Sequence, residues 1–220
     1  MFSLALLAIQ CGLVADAAVL EAIVRVESRG DPYALHVNGE VELVRRPRDR
    51  GEAERMAKWL LEHGYNFDAG LGQVNSANWG WLGLDASSVF DPCTNLTAAS
   101  RVLHDCYDRA AERLGGGDLA VTAALSCYNT GDFARGVWNG YAGAVRAKAG
   151  EPLRIASRAE RDAAAGICSA AAPRPAKERT RAKRERSVAL AAGPPEGGQA
   201  DIFGEPLAEA FEGARAERTQ

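Results

Sequence analysis

Apolar residues recur at helical spacing through most of the first 150 residues. Val19, Leu20, Ile23, Val24 and Val26 share a face, which predicts a helix starting after Asp16 as N-cap and stopping at Gly30, with Pro32 just beyond. Residues 52–63 predict a second helix, closed by Gly64. Ala98, Val102, Leu103, Cys106, Tyr107, Ala110 and Leu114 form a stripe that predicts a third over 97–114, ended by Gly115-Gly116-Gly117. The small-residue run 118–127 predicts a fourth. Residues 2–9, FSLALLAI, suit either a core helix or the hydrophobic region of a signal segment. No Lys or Arg precedes them, which favours the core helix. Residues 37–50, around Val37, Val41, Leu43 and Val44, are the best strand or hairpin candidates. The expectation is a mainly α domain with a small hairpin or irregular lobe.

The pattern breaks near Gly150. All four Trp and all five Tyr precede it, and only Phe203 and Phe211 follow. Residues 173–186, PRPAKERTRAKRER, carry seven basic and two acidic side chains; residues 187–220 carry two basic and six acidic. Such a stretch buries too little apolar area to offset its ordering entropy. The expected division is therefore a folded domain over 1–150 and a charge-polarised, disordered tail over 151–220. The formal charge of the 220-residue chain is −3, which argues against nucleic acid as its main partner. No apolar run approaches the roughly 18 residues of a membrane span, so no transmembrane anchor is expected.

Three segments carry candidate chemistry. Glu27 stands at the end of an apolar helix, where partly apolar walls would raise its pKa and keep it protonated as a general acid. In Gly70-Leu71-Gly72-Gln73-Val74-Asn75, two glycines allow close backbone approach, and Gln73 and Asn75 carry amides suited to sugar hydroxyl and acetamido groups. In Ser126-Cys127-Tyr128-Asn129-Thr130-Gly131, a Tyr-Asn pair ends a small-residue helix. His36, His63 and His104 show no metal-ligand spacing, and no C-x-x-C occurs, so neither a zinc site nor another cofactor is expected. Of the five cysteines, Cys11 and Cys93 sit at connectors and are the first choice for a disulfide. Cys106 and Cys127 lie on apolar helix faces, where buried free thiols are the simpler reading, and Cys168 lies at the tail boundary.

As a set, these pieces resemble the lytic transglycosylases of the lysozyme-like superfamily, in particular the peptidoglycan-cleaving subunits of type IV secretion and conjugation systems. The resemblance rests on Glu27-Ser28-Arg29-Gly30-Asp31-Pro32-Tyr33-Ala34, Gly70 to Ser76, Phe90-Asp91-Pro92-Cys93-Thr94-Asn95-Leu96, Ala124 to Gly131, and Asn139-Gly140-Tyr141, and covers roughly residues 10–145. It implies an SLT-type helical domain that cuts the β-1,4 bond between N-acetylmuramic acid and N-acetylglucosamine. Glu27 would serve as acid and then base, and the product would carry a 1,6-anhydro ring. It further implies that Ser28 fixes the helix end and that Gln73 contacts the muramoyl residue or the bond being cut. Tyr128 would hydrogen-bond Glu27 or shape its pocket, and Asn129 would support the saccharide or the helix end. Relatives often place a Ser before the Gly-Leu-x-Gln motif. This chain has Leu35-His36-Val37-Asn38-Gly39 there, leaving Asn38 to hold the acetamido group.

The partners implied are glycan strands and envelope-spanning secretion or conjugation components, met by a periplasmic monomer. The basic stretch is a candidate contact with that machinery or a membrane surface. Trp79, Trp81 and Tyr141 are candidates for stacking on sugars at the rims of a cleft between a helical lobe and a 37–80 lobe. Among Asp31, Asp68, Asp85 and Asp91, a carboxylate about 6.5–9.5 Å across the cleft from Glu27 would instead make an inverting muramidase. Asp68 is the strongest candidate for that role, against a turn-capping reading. The same motifs would also suit a phage-type lysin or a non-catalytic peptidoglycan-binding assembly module.

Overall fold

The computed structural model describes residues 4–13, 16–39, 43, 45–150 and 153–164. Helix α1 (Leu4–Gln10) leans on α2 (Ala17–Glu27), buries Ala8 and lays Leu4 against Gly30. It packs as a core helix. Helix α2 lies between two apolar clusters. Leu20 and Val24 face one cluster, which holds Met56, Leu60, Phe67, Phe90 and Leu96. Val19 and Ile23 face the other, with Leu103, Val121, Leu125 and Val145. The predicted apolar face is thus two adjacent i,i+4 stripes, each with its own core.

Helix α3 (Arg50–Glu62) is capped by Asp49, which accepts from Glu52 N. Glu52 is only 3% exposed, receives both Arg45 Nη atoms at 2.9 and 2.6 Å and Arg48 N at 2.6 Å, and so anchors the approach to α3. Helix α4 (Trp79–Leu82) is a single turn closed by a left-handed Gly83. Helix α5 (Pro92–Leu114) begins at Pro92 instead of 97, because Asp91 caps Thr94 N and Pro92 suits the first turn. Its buried stripe ends at Ala110; Leu114 is 50% exposed. Helix α6 (Asp118–Thr130) runs past 127 to a left-handed Gly131. Like α4, α7 (Arg135–Trp138) and α8 (Tyr141–Ala149) lie outside the sequence expectations. Both pack on α6, and α8 also packs on α2.

Asp16 stands at the N-cap position of α2, but its side chain caps nothing. It is buried, accepts from Ser100 Oγ at 2.9 Å and pairs with His104 Nε2 at 2.8 Å. A carboxylate out of water needs strong partners, and the side of α5 supplies them. Burial opposes ionisation of Asp16, yet these contacts hold its pKa below the usual value.

The strand expected within 37–50 forms differently. β1 (Leu35–Val37) pairs antiparallel with β2 (Phe67–Ala69), and β2 with β3 (Val74–Asn75). Val37 is the last residue of β1, no strand follows among the described residues of 37–50, and Val41 and Val44 lie outside the described residues. The partner strand lies some thirty residues along the chain, where local spacing carries no information.

Cys11 and Cys93 are bonded, joining α1 to α5. Cys106 and Cys127 are bonded as well, in place of the expected free thiols. Their apolar faces pack on each other, which brings the Cα atoms to 5.7 Å, within bridging range. The separations of 82 and 21 residues predict unequal loop-entropy contributions, about 4.5 against about 3 kcal/mol. Cys11→Ala/Cys93→Ala should therefore lower the unfolding free energy more than Cys106→Ala/Cys127→Ala, as read from denaturant midpoints.

Packing continues beyond residue 150. Leu153 and Ile155 are buried in the second cluster. Asp108 of α5 holds Arg158 at 3.1 Å and Arg161 at 2.6 Å from α9 (Arg158–Ala164). Two apolar residues in a charged stretch are too short a signal to read in advance. The rest of the expected tail, residues 165–220 with the basic stretch and Cys168, lies outside the described residues. Among the described residues no helix is long and apolar enough to cross a membrane.

Candidate active site

Glu27 is the last residue of α2. The helix ends there because Ser28 turns back: its Oγ donates to Val24 O at 3.3 Å and accepts from Gly30 N at 3.2 Å. Arg29 (φ 58°) and Gly30 (φ 89°) then take left-handed conformations and lead the chain away. Tyr141, the first residue of α8, donates its phenol to Glu27 Oε1 at 2.5 Å, across 114 residues of sequence. The carboxyl group is thus partly buried, with one oxygen fixed.

Alternation along the small sheet supplies the opposite wall. Leu35, Val37, Phe67, Ala69 and Val74 are buried, so the residues between them point the other way. His36, Asp68 and Asn75 are in register across the three strands and share that polar face. Asn38 Nδ2 donates to Asp68 Oδ2 at 2.8 Å, and Asn75 Nδ2 donates to Asp68 Oδ1 at 2.7 Å. Asn66 joins them, exchanging amide bonds with Asn75 and accepting from Asn38. Asp68 lies inside a strand with both oxygens held, so it does not cap a turn.

The Gly70–Gln73 turn between β2 and β3 is clamped by α5 and α6. Asn95, 1% exposed, donates to Ala69 O at 3.0 Å and Val89 O at 2.8 Å and accepts from Gly72 N at 2.8 Å. At Gly70 a Cβ would lie 2.2 Å from Asn95 Nδ2, and at Gly72 it would lie 2.6 Å from Ala99 Cβ, so only glycine fits either place. Gln73 adopts φ 46° and donates Nε2 to Ala34 O and Gly70 O. Arg29 and Gln73 are the non-glycine residues of positive φ among the described residues; Arg29 lies two residues after Glu27, and Gln73 closes the glycine turn.

Burial is the largest influence on Glu27. It lifts the pKa to about 7 against the opposing Tyr141 hydrogen bond, and the negative field of Asp68 adds to the rise. Burial likewise raises Asp68, while Asn38, Asn75 and the field of His36 restrain it. Tyr128 and Tyr141 are both pushed well above the ordinary phenol range, first by burial and then by Glu27's charge, so each stays a proton donor.

The structure brings Glu27, Asp68, Tyr128 and Tyr141 into one electrostatic neighbourhood, with Asn38, Asn75 and Gln73 bracing its sheet side. Tyr128 does not donate to Glu27; its hydroxyl goes to Gly72 O at 2.5 Å and fastens the turn. The hydrogen bond to Glu27, one of the two roles expected of Tyr128, is made by Tyr141, which is buried and is no rim residue. Trp79 is also buried, with Nε1 on Val74 O, and Trp81 is half-buried under Arg101. The exposed tryptophan is Trp138, at 82%. Asn129 accepts from Asn139 and so ties the end of α6 to the α7–α8 junction. Asp31, Asp85 and Asp91 accept from nearby backbone N–H groups, as turn and cap residues do. Sequence reasoning missed Asn66, Asn95 and Asn139. Asn95 and Asn139 lie in the motifs that carry the resemblance, which was the available signal.

Residues 10–149 match the family model described as Transglycosylase SLT domain. The type IV secretion system protein virB1 of Brucella suis biovar 1 is 42% identical over 131 residues, covering 59% of this chain and 55% of that protein. Protein virB1 of Agrobacterium tumefaciens (strain 15955) is 36% identical over 132 residues, covering 60% and 54%. The chain spans about half the length of the curated relatives it matches. No solved structure matches it.

Proposed function

The chain belongs to the transglycosylase SLT domain family, and from that premise we propose that it is a peptidoglycan lytic transglycosylase in which Glu27 is both acid and base. The observation that carries this is a carboxyl group held protonated near neutrality by burial, with one oxygen fixed by Tyr141. Oε2 then carries the mobile proton. It passes to the glycosidic oxygen as the bond to C1 of N-acetylmuramic acid breaks. The substrate's own acetamido oxygen captures C1 as an oxazolinium, a substrate-assisted exception to the two-carboxylate rule. Glu27, now a carboxylate, takes the proton of the C6 hydroxyl while O6 attacks C1. The 1,6-anhydro ring closes, the acetamido group is released and Glu27 regains its proton. Ser28 and Tyr141 orient the acid. Asn38 and Asn129 are assigned to the acetamido and saccharide groups; Asn75, expected there as well, instead holds Asp68, because its nitrogen donates to Asn66 and Asp68 and its oxygen accepts from Asn66 and Ala77 N. Gln73 spends Nε2 on the turn and leaves Oε1 for the muramoyl residue.

The Brucella relative's name, a type IV secretion system protein, supports a setting in which the enzyme opens the wall locally for a secretion or conjugation apparatus, and the peptidoglycan substrate puts that action in the periplasm. Incubation with purified sacculi, followed by mass spectrometry of the released muropeptides, is expected to give 1,6-anhydro ends. Reducing ends would replace this mechanism with hydrolysis.

A hydrolytic muramidase is the second reading, favoured by one observation: Asp68 is the carboxylate whose charge reaches Glu27. The variant Asp68→Asn separates the two. If Asp68 acts through charge alone, its removal lowers Glu27's pKa, since a like charge has gone. The alkaline limb of the pH–rate profile then moves to lower pH and the products keep anhydro ends. If Asp68 instead directs a water, turnover collapses at every pH.

A further inference from the structure

Asn139 sits between the last residue of α7 and the left-handed Gly140 that opens α8. Its side chain makes two bonds in opposite directions. Nδ2 donates to Asn129 Oδ1 at 3.0 Å, at the end of α6, and Oδ1 accepts from Tyr141 N at 3.0 Å. Tyr141 is therefore gripped at its own backbone, and its phenol reaches Glu27 Oε1 from the other end of the residue. Asn129 follows Tyr128, whose hydroxyl holds the Gly70–Gln73 turn. One exposed amide thus ties the segment that fixes the sheet side of the site to the segment that fixes the phenol on the acid.

We propose that Asn139 is a positioning residue that brackets the end of α6 to the start of α8 and thereby sets the Tyr141 phenol on Glu27. Gly140 takes φ 84° at this junction; its N–H donates to Val137 O and its carbonyl accepts from Ala144 N, and Asn139 adds the side-chain bond that ties this turn to the end of α6. A shift of about an ångström there breaks a short phenol–carboxyl bond, because hydrogen bonds weaken steeply with distance and angle. The groups facing Glu27 are Tyr141 from α8, Tyr128 from α6 and Asp68 from β2, with His36 of β1 acting on Asp68. Of these, Tyr141 alone bonds Asn139 directly. Its catalytic meaning rests on the function proposed above; its effect on the acid does not.

The test reads the titration of Glu27 directly, by NMR of the full chain labelled at the glutamate side-chain carboxyl carbons, with Glu27→Gln assigning the resonance. Tyr141 donates to the carboxylate, so losing that bond raises Glu27's midpoint. Asn139→Ala is expected to raise it by roughly half to one pH unit, the share of one hydrogen bond to a carboxylate. Tyr141→Phe should do the same, and Asn139→Ala added to Tyr141→Phe should move it no further. An unchanged midpoint in Asn139→Ala, or additive shifts in the double variant, overturns the proposal. Should Asn139→Ala fail to fold, Asn129→Ala decides in its place, with a smaller shift of the same sign expected and no shift fatal. Sacculus turnover is measured in parallel. A wild-type chain that releases nothing defeats the proposed function and leaves the titration result standing.

Discussion

Glu27→Gln is expected to abolish release of muropeptides from sacculi, by about a thousandfold or more, while making the protein more stable at alkaline pH. The catalytic loss follows from chemistry. In the proposed mechanism a single group gives and takes the proton, general acid–base contributions are worth about 10²–10⁴-fold each, and an amide does neither. The stability gain follows from linkage. Glu27's folded pKa is raised from 4.5 to about 7, so between those values the folded state binds more protons than the unfolded one. The wild type therefore loses stability as pH rises through that window, by an amount on the order of 3 kcal/mol, and loses no more above it. The amide of the variant keeps an acceptor for Tyr141 and has nothing to ionise. Melting curves of the two proteins should coincide near pH 4 and separate by pH 8, with the variant higher. Retained cleavage would remove the acid–base role, and coincident curves at pH 8 would remove the raised pKa.

The second large effect belongs to a residue that touches no substrate. Asn95→Ala is expected to cost about 3–5 kcal/mol in denaturant unfolding and to take activity with it. Asn95 is buried and satisfies three backbone groups at once: Ala69 O and Val89 O as donor, Gly72 N as acceptor. Truncation leaves three polar groups without partners in a space closed to water, at about 1–3 kcal/mol each before relaxation. Asn95→Asp keeps the acceptor for Gly72 N and loses both donors, so it should be damaging as well. A cost near 1 kcal/mol for Asn95→Ala would show that water or a rotated turn replaces these bonds.

The bulk of α2, α3, α5 and α6 is legible in the sequence because their stripes and glycine stops are local, although the first turn of α5 and the last turn of α6 lie beyond the expected bounds. Glu27 is legible as a candidate for the same reason: a charged residue that ends an apolar helix stands out against its neighbours. The Cys11–Cys93 pair follows from two connector positions. The Cys106–Cys127 bond does not, since a cysteine on an apolar face looks the same whether its partner is a leucine or a thiol. The sheet differs from expectation because β1 finds its partner across the chain, and α8 escapes notice because its amphipathic signal is weak. Asp16 shows the limit most clearly. It occupies the cap position that its sequence context suggests, yet its carboxylate serves His104 and Ser100, 84 residues away in the case of Ser100.

Spacing along the chain was enough to establish a mainly helical domain, one acid at a helix end and a glycine-rich turn bearing amides. Packing decided which phenol meets the acid, that the field of Asp68 reaches it, and the direction in which its proton affinity moves. The difference is physical. Helix periodicity and capping depend on residues within a turn or two of each other, whereas desolvation and the field at a carboxyl group sum over every atom the fold brings near, whatever its place in the sequence.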